Sequence, residues 1–194
     1  MAYLSKSDRK QQIIDSAKKV VLAEGLNTLT VRKLAQSSDL SVGQVHHHFN
    51  SVHDLKAEVF LELVHENLNL SHFSESSNGL EKLIYLLGSE ANTSETPYIR
   101  VWNDAESNIQ SSLIFKQAYA QAIKIWQNSI IAVLKEGLAE KIFIFDLDKI
   151  QDISWRFISL AIGLECVSNL QLEGLNSDFF HKQILFMIRQ ELQM

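Results

Sequence analysis

A chain of 194 residues, 46% hydrophobic and 21% charged, can bury the core of one or two small domains and is not a disordered polymer. One proline against seven glycines disfavours sandwiches and barrels built on many tight turns. The net charge of −5 is unevenly spread: residues 1–56 carry eight basic and five acidic side chains, residues 57–194 ten and eighteen, and four of the seven histidines fall in the first segment. A small basic module on a larger acidic body points to an N-terminal end that meets an anion.

The single cysteine, Cys166, excludes an intramolecular disulfide and suits a reducing compartment. No stretch approaches the roughly 20 apolar residues that span a bilayer, and the first ten residues lack a secretory core. There is no Gly-rich phosphate loop, Gly-x-Ser-x-Gly elbow or Cys-x-x-Cys pair. The expectation is a soluble, cytoplasmic protein that is not an enzyme, needs no cofactor and has no membrane partner.

From Asp8 to Glu24 the apolar residues Ile13, Ile14, Ala17, Val20 and Val21 recur at helical spacing, and Gly25 follows as a left-handed stop. Thr30 caps a short second helix from Val31 to Ser37, expected to bury Val31, Leu34 and Ala35. After the Asp39-Leu40 turn, Ser41-Val42-Gly43-Gln44 has the form of a capping box opening a third helix that ends near Phe49. Ser51 with Asp54 opens a long fourth helix in the same way. Helix, short helix, turn, short helix is the helix-turn-helix arrangement, whose second short helix fits the major groove. Gln44, His46 and His47 are the candidates to read bases, while Thr30, Arg32 and Lys33 stand where phosphate is met and Arg32 can reach a guanine edge.

These residues carry a resemblance. Ile13-Ile14-Asp15-Ser16-Ala17, Glu24-Gly25, Leu29 to Ala35, Leu40-Ser41-Val42-Gly43, His48-Phe49 and Leu55 resemble the DNA-binding domain of the TetR family of bacterial transcriptional regulators. The resemblance runs from Arg9 to Phe60, about a quarter of the chain. It implies DNA contacts at Thr30, Arg32, Lys33, Ser41, Gln44, His46, His47, Asn50 and His53. Two places depart from the family pattern: Val45-His46 stands where Leu-Tyr is usual, and Val52 where the family carries a phosphate-gripping lysine. An imidazole can donate the tyrosine's hydrogen bond, so His46 and His53 are expected to stand in, with affinity rising as pH falls.

The run His46-His47-His48 is not a metal site, because successive helical residues point about 100° apart. Glu62-Leu63-Val64-His65 and Asp178-Phe179-Phe180-His181 are single units of a motif that needs two true copies and further glutamates. No metal is expected.

Beyond Leu55 the pattern stays helical: Leu80 to Leu87, a helix opened by Thr96-Pro97, a long helix from Phe115 ending at Gly137, an extended connector Lys141 to Phe145, and two last helices, about Asp148–Leu172 and Asp178–Leu192. Polar breaks are expected at Ser74–Gly79 and Gly88–Glu95. The family resemblance implies that the last two helices pair with those of a second copy, through Phe157, Ala161, Leu164, Phe180, Ile184 and Ile188. It also implies a small-molecule effector in this region. Tyr85, Trp102, Phe115, Tyr119, Trp126 and Trp155 are the candidate lining, although each ring alone reads more readily as core.

The expected architecture is all-α. A helix-turn-helix domain over residues 1–54 is joined by a long helix to a helical ligand-binding and dimerisation domain over 55–194. The expected function is a ligand-responsive regulator, a repressor that binds a palindromic operator as a homodimer and is released by an effector. The alternative is a helical dimer that has lost sequence-specific DNA binding and acts through protein contacts.

Overall fold

The computed structural model of the protein describes residues 5–74, 77–88 and 97–193. Among these the architecture is all-α, without a strand: α1 (Lys6–Glu24), α2 (Val31–Ser37), α3 (Val42–His48), α4 (Val52–Asn67), α5 (Gly79–Leu86), α6 (Pro97–Asn108), α7 (Leu113–Ala139), α8 (Ile150–Ser168) and α9 (Ser177–Leu192). The expected Thr96 cap and the break at Gly88–Glu95 lie largely outside the described residues. By packing, the chain forms two compact units, Met1–Asn67 with Pro97–Ala122 and Leu68–Thr96 with Ile123–Met194, the chain passing from one to the other within α7. This partition by packing is a different quantity from the division by role at residue 54.

In the first unit, Ser5 caps α1 by accepting from the Asp8 N–H at 3.1 Å. The stripe Ile13, Ile14, Ala17, Val20 and Val21 is buried, each of the larger side chains contributing about 1.5–3 kcal/mol against exposure. Gly25 ends the helix at φ +95°, a conformation that side chains resist, and donates its N–H to the Val21 carbonyl at 2.8 Å. Against α1 packs α4, which buries Leu55, Val59, Phe60, Leu63 and Val64. Ion pairs Lys10–Glu58 and Lys18–Glu66, each 2.7 Å, seal the edges of that contact. α6 completes the unit with Val101 and Ala105 buried, and the Arg100 guanidinium donates to the Leu22 carbonyl at 2.7 Å. Only Leu34 of α2 is fully buried; Val31 and Ala35 are half-covered, because so short a helix has one row to offer the core.

The second unit differs from expectation at the end of α7. The helix passes through Gly137 and stops at Ala139, because the glycine's role is steric. A Cβ built there falls 2.2 Å from Cδ2 of Phe143, a ring that is only 1% exposed. The connector is irregular and extended, and the Ile144 N–H donates to the Leu192 carbonyl at 2.9 Å. Asn78 caps α5 through the Glu81 N–H at 3.0 Å, and the Trp126 indole donates to the Leu86 carbonyl at 2.8 Å. α8 is shorter than expected, ending at Ser168, and Arg156 joins it to α9 by a two-pronged pair with Glu191.

The expected dimer residues lie mostly inside the lone chain. Phe157, Ala161, Phe180, Ile184 and Ile188 are all buried within the lone chain, and Leu164 is half-covered.

Candidate nucleic-acid interface

The helix-turn-helix is built by side-chain caps. Thr30 accepts from the Lys33 N–H at 3.1 Å and starts α2. Ser41 accepts from the Gln44 N–H at 3.2 Å while Gln44 Oε1 accepts from the Ser41 N–H at 2.8 Å, a complete capping box that starts α3. Val45 and Phe49 turn inward and pin α3 to the unit. Ser41, Val42, Gly43, His46, His47 and Asn50 remain exposed and form the outward face of this segment.

Of the nine expected DNA-contacting residues, seven are exposed: Thr30, Arg32, Ser41, His46, His47, Asn50 and, at the start of α4, His53. The other two, Lys33 and Gln44, are half-buried and engaged inside the chain. Lys33 forms an ion pair with Glu24, and Gln44 commits its amide oxygen to the cap, leaving its nitrogen to donate outward. The His53 ring stands edge-on to Phe115, with centroids 6.2 Å apart.

Lys6 and Arg9 escaped the sequence reading. They line a groove of about 540 Å³ with Ser5, Ser41, Gln44 and His48, and with Gly43 and His47 of the outward face. Their signal was the positive charge at the head of α1, which pattern matching to α2 and α3 passed over. Other cations of the basic module are occupied: Lys10 by Glu58, Lys18 by Glu66 and Asp15, and Lys56 by burial. The N-terminal excess of positive charge is therefore concentrated at Lys6, Arg9, Lys19 and Arg32 rather than spread evenly. Burial, then the neighbouring His47, Lys6, Lys10 and Arg9, lower the His48 imidazole from the usual histidine value.

The candidate effector residues fall in both units. Trp102, Phe115 and Tyr119 lie in the first unit; Tyr85, Trp126 and Trp155 lie in the second. Tyr119 stacks on Phe60 with ring planes 7° apart, and Trp102 stands edge-on to both at 5.4 and 5.7 Å. Three rings in mutual contact pack as an aromatic core. Tyr85 meets His72 and Phe73, at 4.8 and 5.4 Å, and Trp155 is 44% exposed.

Solved structures share this arrangement over nearly the whole chain. A TetR-family regulator from Cytophaga hutchinsonii superimposes with a TM-score of 0.72 at 19% identity, covering 100% of both chains. A TetR regulator from Haloarcula marismortui gives 0.74 at 16%, covering 96% of this chain and 100% of its own. This chain has the TetR-family fold. A third structure, described as a transcriptional regulator from Saccharomonospora viridis in complex with choline, gives 0.69 at 17%, covering 95% of this chain and 97% of that one. By sequence, the chain is 25% identical over 160 residues to the HTH-type transcriptional repressor KstR2 of Mycobacterium tuberculosis, spanning 78% of this chain and 76% of the repressor. No family profile matches the chain. The outward face of the capped α3 is the one built from Val42, Gly43, His46 and His47.

Proposed function

We propose that this protein is a transcriptional repressor that binds a palindromic operator as a homodimer and releases it when a small-molecule effector binds. The observation that carries the reading is the outward face of α3, a polar and histidine-rich surface on a helix held by its own capping box and by buried Val45 and Phe49. Such a helix, pinned from below and bare above, suits insertion into a groove about 12 Å wide.

Two copies are needed because one short helix makes few base contacts, whereas two spaced about 34 Å apart read both halves of a palindrome. With the buried residues removed from consideration, the dimer face is the outer side of α8 and α9. Trp155, Ser159, Gly163 and Cys166 recur along one side of α8 and are exposed, and Phe186 is 58% exposed on α9. The small residues among them allow a partner helix to approach closely, and a Cβ built on Gly163 meets nothing within 4 Å of its own chain.

Release requires the effector to prefer the state that cannot hold DNA. Moving the population from 1:99 to 99:1 takes roughly a 10⁴-fold preference. The element suited to transmit it within the first unit is α6, which holds α1 through Arg100 and the loop beyond α1 through Asp104.

The deciding experiment is selection of bound fragments from genomic DNA by the purified protein. Enrichment of one palindrome supports the proposal; salt-sensitive retention without sequence preference, or no retention, overturns it.

A further inference from the structure

Val42 is an apolar side chain in a place where neither the helix nor the core asks for one. It is the first residue of α3 and 41% exposed, although a β-branched side chain adds nothing to helix formation there. Its turn-mate Val45 is 1% exposed and does the work of anchoring the helix, so Val42 is left outside the hydrophobic contact.

Its surroundings are cleared. Ser41 and Gly43 flank it and are exposed. A Cβ built on Gly43 finds only the Ser41 hydroxyl, at 4.0 Å, so no intrachain packing requires the glycine. Gln44 is half-buried, its amide oxygen accepting from the Ser41 N–H. Beside His46, one helical turn on, Val42 is an apolar spot in a polar surface.

The major groove offers one apolar feature at base edges, the 5-methyl group of thymine. Reading helices of this motif touch base edges through their N-terminal residues. We infer that Val42 packs against a thymine methyl in each operator half-site, with the bare Gly43 allowing the close approach. The inference rests on the proposed DNA reading and adds to it a base identity.

The test uses the operator recovered by selection and full-length protein. Each thymine of one half-site is replaced in turn by deoxyuracil, which deletes the methyl and keeps every hydrogen-bonding group. Burial of one methyl predicts about a fourfold weaker binding at one position for the native protein. Val42→Ser, at an exposed site that leaves the core intact, is expected to bind thymine and uracil equally at that position. Circular dichroism and thermal unfolding establish that the variant is folded. If no single exchange weakens the native protein, or if Val42→Ser keeps the same thymine preference, the inference is overturned while the repressor proposal stands. If selection enriches no operator, the repressor proposal itself fails and takes this inference with it.

Discussion

Asp104, on α6, holds Asn27, in the loop beyond α1, by two hydrogen bonds: the Asn27 backbone N–H donates to one carboxylate oxygen at 3.1 Å and its side-chain amide to the other at 3.0 Å. The approach is close, since a Cβ built on Gly25 falls 2.8 Å from the same carboxylate. Asn108 adds a third bond, donating to the Asn27 side-chain oxygen at 2.8 Å, and Lys56 donates to the Asn27 carbonyl at 3.2 Å. Burial lowers the Lys56 pKa from the usual lysine value, and the Asp104 charge opposes that shift. One carboxylate thus orders the loop that leads into α2 and also steadies a buried cation.

Asp104→Ala is therefore expected to destabilise the protein by about 1–2 kcal/mol, the loss of two hydrogen bonds to a charged group in a largely exposed place. Urea unfolding followed by circular dichroism measures this. Asp104→Asn, which keeps the shape and one acceptor oxygen, is expected to fall between the two. Equal midpoints for all three proteins contradict a structural role for the contact.

The contrast between this contact and the caps explains what was legible beforehand. Ser41 with Gln44 and Ser51 with Asp54 are pairs three residues apart, so the chemistry that starts α3 and α4 lies within one turn of chain. Asp104 and Asn27 are 77 residues apart, and nothing local to either announces the other. Apolar periodicity marked α8 and α9 as helices, yet both have apolar residues on more than one side, and burial alone separates Phe157 from Trp155. Gly137 carried an ambiguous signal: a glycine near a helix end reads as a stop, and only the position of Phe143 shows it to be a space left for a ring. At the candidate interface, α3 was legible in its polar residues, while the exposure of Val42 is visible only once Val45 is seen to anchor the helix.

Gly137→Ala tests that space. The added methyl would stand 2.2 Å from Cδ2 of Phe143, a ring only 1% exposed, so the ring must shift within packed surroundings to admit it. Overpacking of this kind costs about 1–3 kcal/mol, more than the helix propensity of alanine returns. Thermal unfolding is expected to show a lower Tm, and restoration by Gly137→Ala combined with Phe143→Leu identifies the ring as the obstacle. A stabilised single variant contradicts the assignment.

Tyr119 provides a pH signature. Burial against Phe60 and Trp102, with Glu106 adding negative charge, pushes its phenol up to about 12 from 10.0. The folded chain therefore keeps this proton in a range where the unfolded chain has released it. Between pH 10 and 12 the native state binds more protons than the unfolded one, so stability falls as pH rises through that window. Tyr119→Phe is expected to lose this part of the alkaline slope and to leave stability near neutral pH little changed. Urea midpoints measured in steps across the window check it, and parallel curves for the two proteins refute the shifted phenol.

The proposed dimer face is open to a substitution that leaves the fold alone. A side chain at Gly163 meets nothing within 4 Å of its own chain, and the residue lies inside α8, where glycine is the weaker helix former. Gly163→Arg is therefore expected to preserve the isolated chain while placing a long charged group where a partner helix must come close. Light scattering after gel filtration should report a particle near 22.1 kDa for the variant and twice that for the native protein. Unfolding gives an independent reading, because an associating chain gains stability with concentration whereas a monomer does not. Operator affinity should fall with association, since each half-site then has to be bound without its neighbour. A variant that stays dimeric at micromolar concentration removes Gly163 from the interface, and with it the outer side of α8.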